Sequence, residues 1–252
     1  MFVIDDDTPD NMLEAPEGLS KGRSVPFSRP AYGTIPCAPA FPENLLIPRS
    51  EWRGMIEEQK RTKTRLVDIC DQAGLKIKDQ NGTNYCWVFG ATRTIEIMRV
   101  VQNQPLVSLS PASVGGPITG FQNEGGWGTN AMEYIVEHGL VPSQYWPDTA
   151  INRSYWTEEN KRIAMDYRPT KWWELRPRNL EQLMSCLLRR IPVAVGYNWW
   201  GHEVCAVAAE DEGSIIIDNS WGASWGTRGR SIIAGSRVLP DDAVAPASIM
   251  AA

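Results

Sequence analysis

Residues 79–99 read DQNGTNYCWVFGATRTIEIMR. A polar loop carrying the turn pair Asn81-Gly82 runs into Cys86-Trp87. From Tyr85 to Val101, the residues Val88, Ala91, Ile95 and Met98 recur on one helical face, so the spacing predicts a helix beginning near the cysteine. A thiol is a good nucleophile only as thiolate, and the positive end of a helix dipole favours that form. A small buried cysteine has the same local pattern. What decides between the two is whether the rest of the chain supplies a proton acceptor and a group to orient it.

The chain has 252 residues, enough for one large domain or two packed lobes. A net charge of -5 gives no electrostatic footprint for nucleic acid, and no apolar run approaches the length of a membrane span. The opening MFVIDDDTPDNM is acidic, unlike a secretory leader, so a cytoplasmic or other reducing location is expected. Five scattered cysteines (Cys37, Cys70, Cys86, Cys186, Cys205) without C-x-x-C spacing suggest neither a disulfide framework nor a metal centre, and no cofactor is implied. Imidazole can come only from His138 or His202. His138 precedes Gly139 at a helix end, where a structural role suffices.

Residues 1–50 are punctuated by prolines 9, 16, 26, 30, 36, 39, 42 and 48 and read as an extended arm, with residues 51–252 forming the domain. A charged helix is expected from Glu51 to about Ala73, then a short strand and loop at 75–85. The Gly-rich NEGGWG feeds a second helix ending at Gly139, residues 141–177 read as connection with a short helix near 157–165, and Asn179 caps NLEQLMSCLLRR. Strand-like runs follow: PVAVGYNWW, HEVCAVAAE, SIIIDNS and RSIIAG. Helices first and strands later indicate an α+β fold: a helical lobe at about 74–145, a sheet or barrel lobe at about 146–240, and a tail at 241–252.

His202 opens an apolar strand, and Asp218-Asn219 closes another. On a strand these two neighbours point to opposite faces, so only one can orient His202. The order Gln80, Cys86-Trp87, His202, Asn219-Ser220-Trp221-Gly222, Trp225-Gly226 resembles the papain-like cysteine peptidases of C1 type, with Gln six before Cys and Asn seventeen after His. The resemblance implies a two-lobe papain-like fold and hydrolysis of peptide or protein substrates. On it, Cys86 is the nucleophile, His202 the base and then acid, and Asn219 the orienting amide. Gln80 and the Cys86 N–H form the oxyanion hole, and Trp221 shields the His–Asn bond. It further implies that Gly125 and Gly126 pair with substrate backbone, while Trp127, Trp200 and Gly201 wall the cleft and Trp87 supports it.

The family's usual Cys-Gly-Ser-Cys-Trp is Thr83-Asn84-Tyr85-Cys86-Trp87 here, which places Asn84 and Tyr85 in the cleft floor as specificity elements. The family disulfide from the first of those cysteines would end at Asn123, so both halves are replaced together. Cys86 and His202 are 116 residues apart, a short separation that resembles compact prokaryotic or phage-like members. No typical inhibitory prosegment is expected from so short and Pro-rich an arm. Two alternatives stand: the fold as a decoration component of a larger assembly such as a virion, contacted through the arm; or another Cys-His acyl-transfer enzyme, an amidase or a transglutaminase-like protein, the latter requiring Asp218 to face His202.

Overall fold

A computed structural model describes residues 1–22 and 40–249; Cys37, the rest of 23–39 and the last three residues lie outside the described residues. The helices are α1 (Arg49–Thr62), α2 (Leu66–Ala73), α3 (Cys86–Val101), α4 (Ala112–Ile118), α5 (Gly128–His138), α6 (Glu158–Ala164) and α7 (Leu180–Leu188). The strands are β1 (Val3–Ile4), β2 (Pro169–Glu174), β3 (Val193–Tyr197), β4 (His202–Asp211), β5 (Ser214–Asp218), β6 (Arg230–Ile233) and β7 (Asp242–Ile249), in the sheet order β1-β6-β5-β4-β3-β7-β2. All neighbours are antiparallel except β1 and β6. The α+β class is as expected.

α3 is the axis of the molecule. Every residue from Cys86 to Arg99 is buried, rather than the single face the apolar spacing suggests, because α3 is packed by β3, β4 and β7 on one side and by α2, α4 and α5 on others. Its charged residues are paired in place. Arg93 reaches Asp218 at the end of β5 with Nε and Nη2 at 2.9 and 2.7 Å, and Arg230 of β6 takes the other carboxylate oxygen at 2.7 Å. Glu96 accepts from the Leu109 N–H at 2.9 Å and pairs with Lys78 at 3.2 Å. These charges tie the helix to the far strands of the sheet.

Four local expectations are corrected. The helix foreseen from Glu51 to Ala73 is two helices, because Lys63 turns left-handed (φ 52°, ψ 47°) and Arg65 is extended. Its apolar stripe accordingly restarts, with Trp52 and Ile56 buried in α1 and Leu66, Val67 and Cys70 in α2. Between Leu75 and Tyr85 there is a single bridge, Asp79 to Trp221, and no strand. The tail foreseen at 241–252 contains β7, which runs between β3 and β2. Pro246 disguises it. β3 pairs only with Asp242–Val244, so Pro246 sits where β7 has β2 alone as neighbour and no second ladder is interrupted. β2 itself lies within what read as connection.

The first residues belong to the sheet. β1 adds in parallel to the edge strand β6, with Ile232 N–H donating to Phe2 O and Ala234 N–H to Ile4 O, both at 2.9 Å. Ile4 and Leu13 are buried in the same core as α1, α2 and α7.

Candidate active site

Cys86 is the first residue of α3, and His202 the first of β4; the two elements pack together and both residues are fully buried. β4 and β5 are paired so that Cys205 faces Asp218, which brings Asn219, one residue on, beside His202. His202 Nε2 lies 2.8 Å from Asn219 Oδ1. The same Oδ1 accepts the Ser220 N–H at 2.7 Å, and since an N–H cannot donate to an amide nitrogen, this fixes which end of Asn219 meets the imidazole. Nε2 therefore carries the proton and donates it to Asn219. Nδ1 is left with its lone pair and makes no hydrogen bond among the described residues.

The surroundings of that ring are aromatic. Trp221 stacks on His202 with centroids 4.3 Å apart, and Trp200 meets it edge-on at 4.9 Å. Burial pushes the imidazole down to about 3; the Asn219 bond opposes this, while the nearby Lys21 charge adds to it. Asp218 points the other way, into Arg93 and Arg230. Asn219, not Asp218, orients the histidine, and the condition for a transglutaminase-like site is not met.

Gln80 is held by Ser220, whose backbone O accepts the Gln80 N–H at 2.8 Å and whose Oγ donates to Gln80 Oε1 at 2.5 Å. Its Nε2 is thereby aimed outward and donates to Thr83 O at 2.7 Å, Ser20 O at 2.8 Å and Lys21 O at 3.2 Å. Trp221 Nε1 donates to Ser20 O at 2.9 Å, and the Gly126 N–H donates to Gly22 O at 3.0 Å. Residues 20–22 thus cross the site and occupy both Gln80 and Gly126. Short and Pro-rich as it is, the arm reaches the cleft because it is anchored next door. Its anchors are β1, the bonds from the Ser236 N–H and Oγ to Asp6, and the 2.8 Å bond from Trp200 Nε1 to Leu13 O.

The other foreseen residues divide. The Gly125-Gly126-Trp127 loop enters α5, and Gly126 is obligatory because a Cβ there would lie 2.6 Å from the buried Trp87 ring. Asn84 and Asn123 bracket the two loops, with Asn84 N–H to Asn123 Oδ1 at 2.7 Å and Asn84 Nδ2 to Asn123 O at 2.9 Å. Hydrogen bonds stand where the resemblance implied a lost disulfide. Tyr85 is fully buried, its ring against Gly115 and its hydroxyl donating to Gln122 O at 2.8 Å, so it props α4. Trp200 is buried, and the adjacent Gly201 has φ 62°. His138 is half-exposed at the end of α5, ring to ring with Tyr134. Sequence reasoning missed Ser220, although it lies inside the quoted Asn219–Gly222 motif.

Comparison with known proteins gives a consistent result. A family profile described as papain family cysteine protease matches residues 65–209. Cathepsin L 1 and cathepsin L 2 of Paramecium tetraurelia are 26% and 27% identical over 213 and 190 residues, covering 76% and 67% of this chain. The chain spans 67% and 59% of the length of those two relatives. Among solved structures, a recombinant stem bromelain precursor shares the fold with a TM-score of 0.61, covering 97% of this chain and 81% of its own at 18% identity. The profile covers more than half of the chain, and its span includes the cysteine, the histidine, the whole of α3 and all but the last two residues of β4. The chain belongs to the papain family of cysteine proteases.

Proposed function

We propose that this protein hydrolyses peptide bonds in peptide or protein substrates through an acyl-enzyme on Cys86. The observation that carries the reading is the His202 tautomer: Asn219 and Ser220 together leave Nδ1 as a lone-pair acceptor at the head of β4, against the helix that starts with Cys86. His202 Nδ1 takes the thiol proton as sulfur attacks the substrate carbonyl, and the oxyanion is met by Gln80 Nε2–H and the Cys86 N–H. The imidazolium returns the proton to the departing amine, leaving a thioester. Water, deprotonated by the same nitrogen, then releases the acid and restores the thiol. Ser220 is a positioning residue twice over, for the Asn219 amide and for the Gln80 amide.

The described form is latent. The acyl part of a substrate pairs with Gly126 and its leaving part lies towards Trp221. The arm runs from Ser20 at Trp221 to Gly22 at Gly126, opposite to that polarity, so it fills the cleft without offering a bond to cut. The test is hydrolysis of a fluorogenic peptide by a full-length variant whose arm is displaced. Cys86→Ala abolishes it and His202→Ala lowers it to background; turnover that survives both changes refutes the mechanism.

We infer a reducing location such as the cytoplasm. Its support is that Cys70, Cys186 and Cys205 are buried thiols and that the Asn84–Asn123 bracket needs no oxidation. Among the described residues no helix is long and apolar enough to cross a membrane.

A further inference from the structure

A cavity of about 330 Å³ opens at the far end of α5, between α4, α6 and the connection carrying Trp146 and Trp156. Small-molecule sites begin at roughly this size. The space lies about 15 Å along α5 from Gly128 and the cleft, and the peptidase reading gives it no role. Its frame is held by backbone. Gly139 has φ 77°, and a Cβ there would lie 1.8 Å from Ala164 O, so α5 and α6 meet with no side chain between them. The Leu140 N–H donates to Tyr167 O at 3.1 Å across the same junction. Trp146, 1% exposed, is fixed in the wall by its indole N–H, which donates to Ala150 O at 2.8 Å.

Four rings line the space: Tyr134, His138, Trp146 and Trp156. The Ser113 hydroxyl beside them is already engaged, donating to Ser110 O at 2.7 Å and accepting the Val141 N–H at 3.1 Å. Burial pushes the Tyr134 phenol up to about 12, opposed by the Trp156 indole N–H directed at its oxygen, so it keeps an O–H to donate. Lys161 Nζ sits 4.2 Å from the centre of the Trp156 ring, held at the mouth by cation–π attraction. Its carboxylate partner, Glu158 at 2.7 Å, is 90% exposed, and such a surface pair exchanges at little cost. Glu137, next to His138, is likewise turned to solvent. Among the described residues no carboxylate lines the cavity itself. The space is therefore walled by aromatic rings and furnished with an ammonium and a phenol, both donors.

We propose that this cavity binds a small aromatic carboxylate, of phenylacetate or indoleacetate size, with its ring among the four aromatic side chains and its carboxylate on Lys161 and the Tyr134 hydroxyl. Ring contacts supply affinity, and the charge-assisted bonds supply the choice of ligand. A cationic aromatic would meet Lys161 with like charge, and a neutral one would forgo the ion pair. The site holds its ligand whether or not Cys86 turns over, so it does not rest on the peptidase reading.

The experiment is calorimetric titration of the full chain with indole-3-acetate, indole-3-acetamide and tryptamine, which share a ring and differ in charge. The acetate should bind about tenfold more tightly than the amide, with tryptamine weakest. Lys161→Gln removes the charge and keeps most of the side chain, and should bring acetate and amide within about twofold of each other. Lys161→Arg should keep the preference. Ala164→Leu fills the cavity from its buried wall and should abolish binding, with an unchanged far-UV spectrum as the check on its fold. No saturable binding of the acetate up to about 5 mM, equal binding of all three probes, or a preference that survives Lys161→Gln overturns the proposal. Binding that a folded Ala164→Leu leaves intact overturns it as well. Should Ala164→Leu not fold, the two Lys161 variants decide, since that side chain is 39% exposed.

Discussion

Replacing Gly22 by valine is expected to open the cleft. Gly22 has φ 147°, a region that β-branched residues do not tolerate, and a Cβ there would lie 2.0 Å from the Asn84 carbonyl oxygen. Carbon and oxygen need about 3.3 Å, so the segment has to lift by more than an ångström. It then loses the bonds from Gln80, Trp221 and Gly126. At about 1 kcal/mol net for each, these three favour the docked segment by roughly 3 kcal/mol, an open fraction below about 1%. Removing them raises the accessible fraction roughly 100-fold. Alkylation of Cys86 by limiting iodoacetamide at about pH 6, followed by intact mass against a Cys86→Ala control, reads that fraction directly, and peptide turnover should rise in parallel. If Gly22→Val and the parent alkylate within threefold of each other, residues 20–22 are not what closes the site.

Other outcomes follow from the same geometry. Asn219→Ala removes the acceptor that holds His202 Nε2 and is expected to lower kcat by about 10²-fold with little change in KM, the lower range of what a positioned base contributes. Asp218→Ala leaves Arg93 and Arg230 buried without their shared counter-charge and should cost about 3–5 kcal/mol, seen as a lower urea midpoint. For pH, the buried His202 sits at about 3 while the unfolded chain holds it near its ordinary 6.5. The unfolded form therefore binds the extra proton between those values, so the folded state keeps its full advantage above pH 6.5 and loses about 1.4 kcal/mol per unit as pH falls towards 3. Between pH 7 and pH 4.5 the wild type should lose more Tm than His202→Gln, which lacks this titration; equal losses would refute the assignment. Asn123→Ala, which breaks the bracket to Asn84, should lower stability by about 1–2 kcal/mol in the same denaturant assay.

Much of the site was legible because its parts sit at ends of strongly patterned elements. Cys86 heads the helix that its own apolar spacing predicts, and His202 and Asn219 bound two apolar strands whose pairing brings them together. The alternation rule already required Asp218 and Asn219 to part company, and they do. What was not legible lies where tertiary contacts overrule local pattern. Pro246 hid β7, since nothing local says that the strand has only one neighbour at that point. The arm could not be placed from proline content, because two residues of parallel pairing and a few hydrogen bonds, to the backbone oxygens of Leu13 and Ser20 and to the Asp6 carboxylate, hold it. The charges on α3 lie off the apolar face that the spacing picks out, yet Arg93 and Glu96 are buried and paired by tertiary contacts.

The arm's attachment through β1 has a consequence for the order of the activation reaction. While the chain is intact, docking of residues 20–22 is intramolecular, at an effective concentration in the millimolar range that dilution does not change. A single cut between residues 23 and 39 would leave the first residues seated on β6 and in the cleft, now as a separate peptide with a dissociation constant of its own. From then on mass action governs, and the enzyme would be silent in a concentrated stock and active once dispersed.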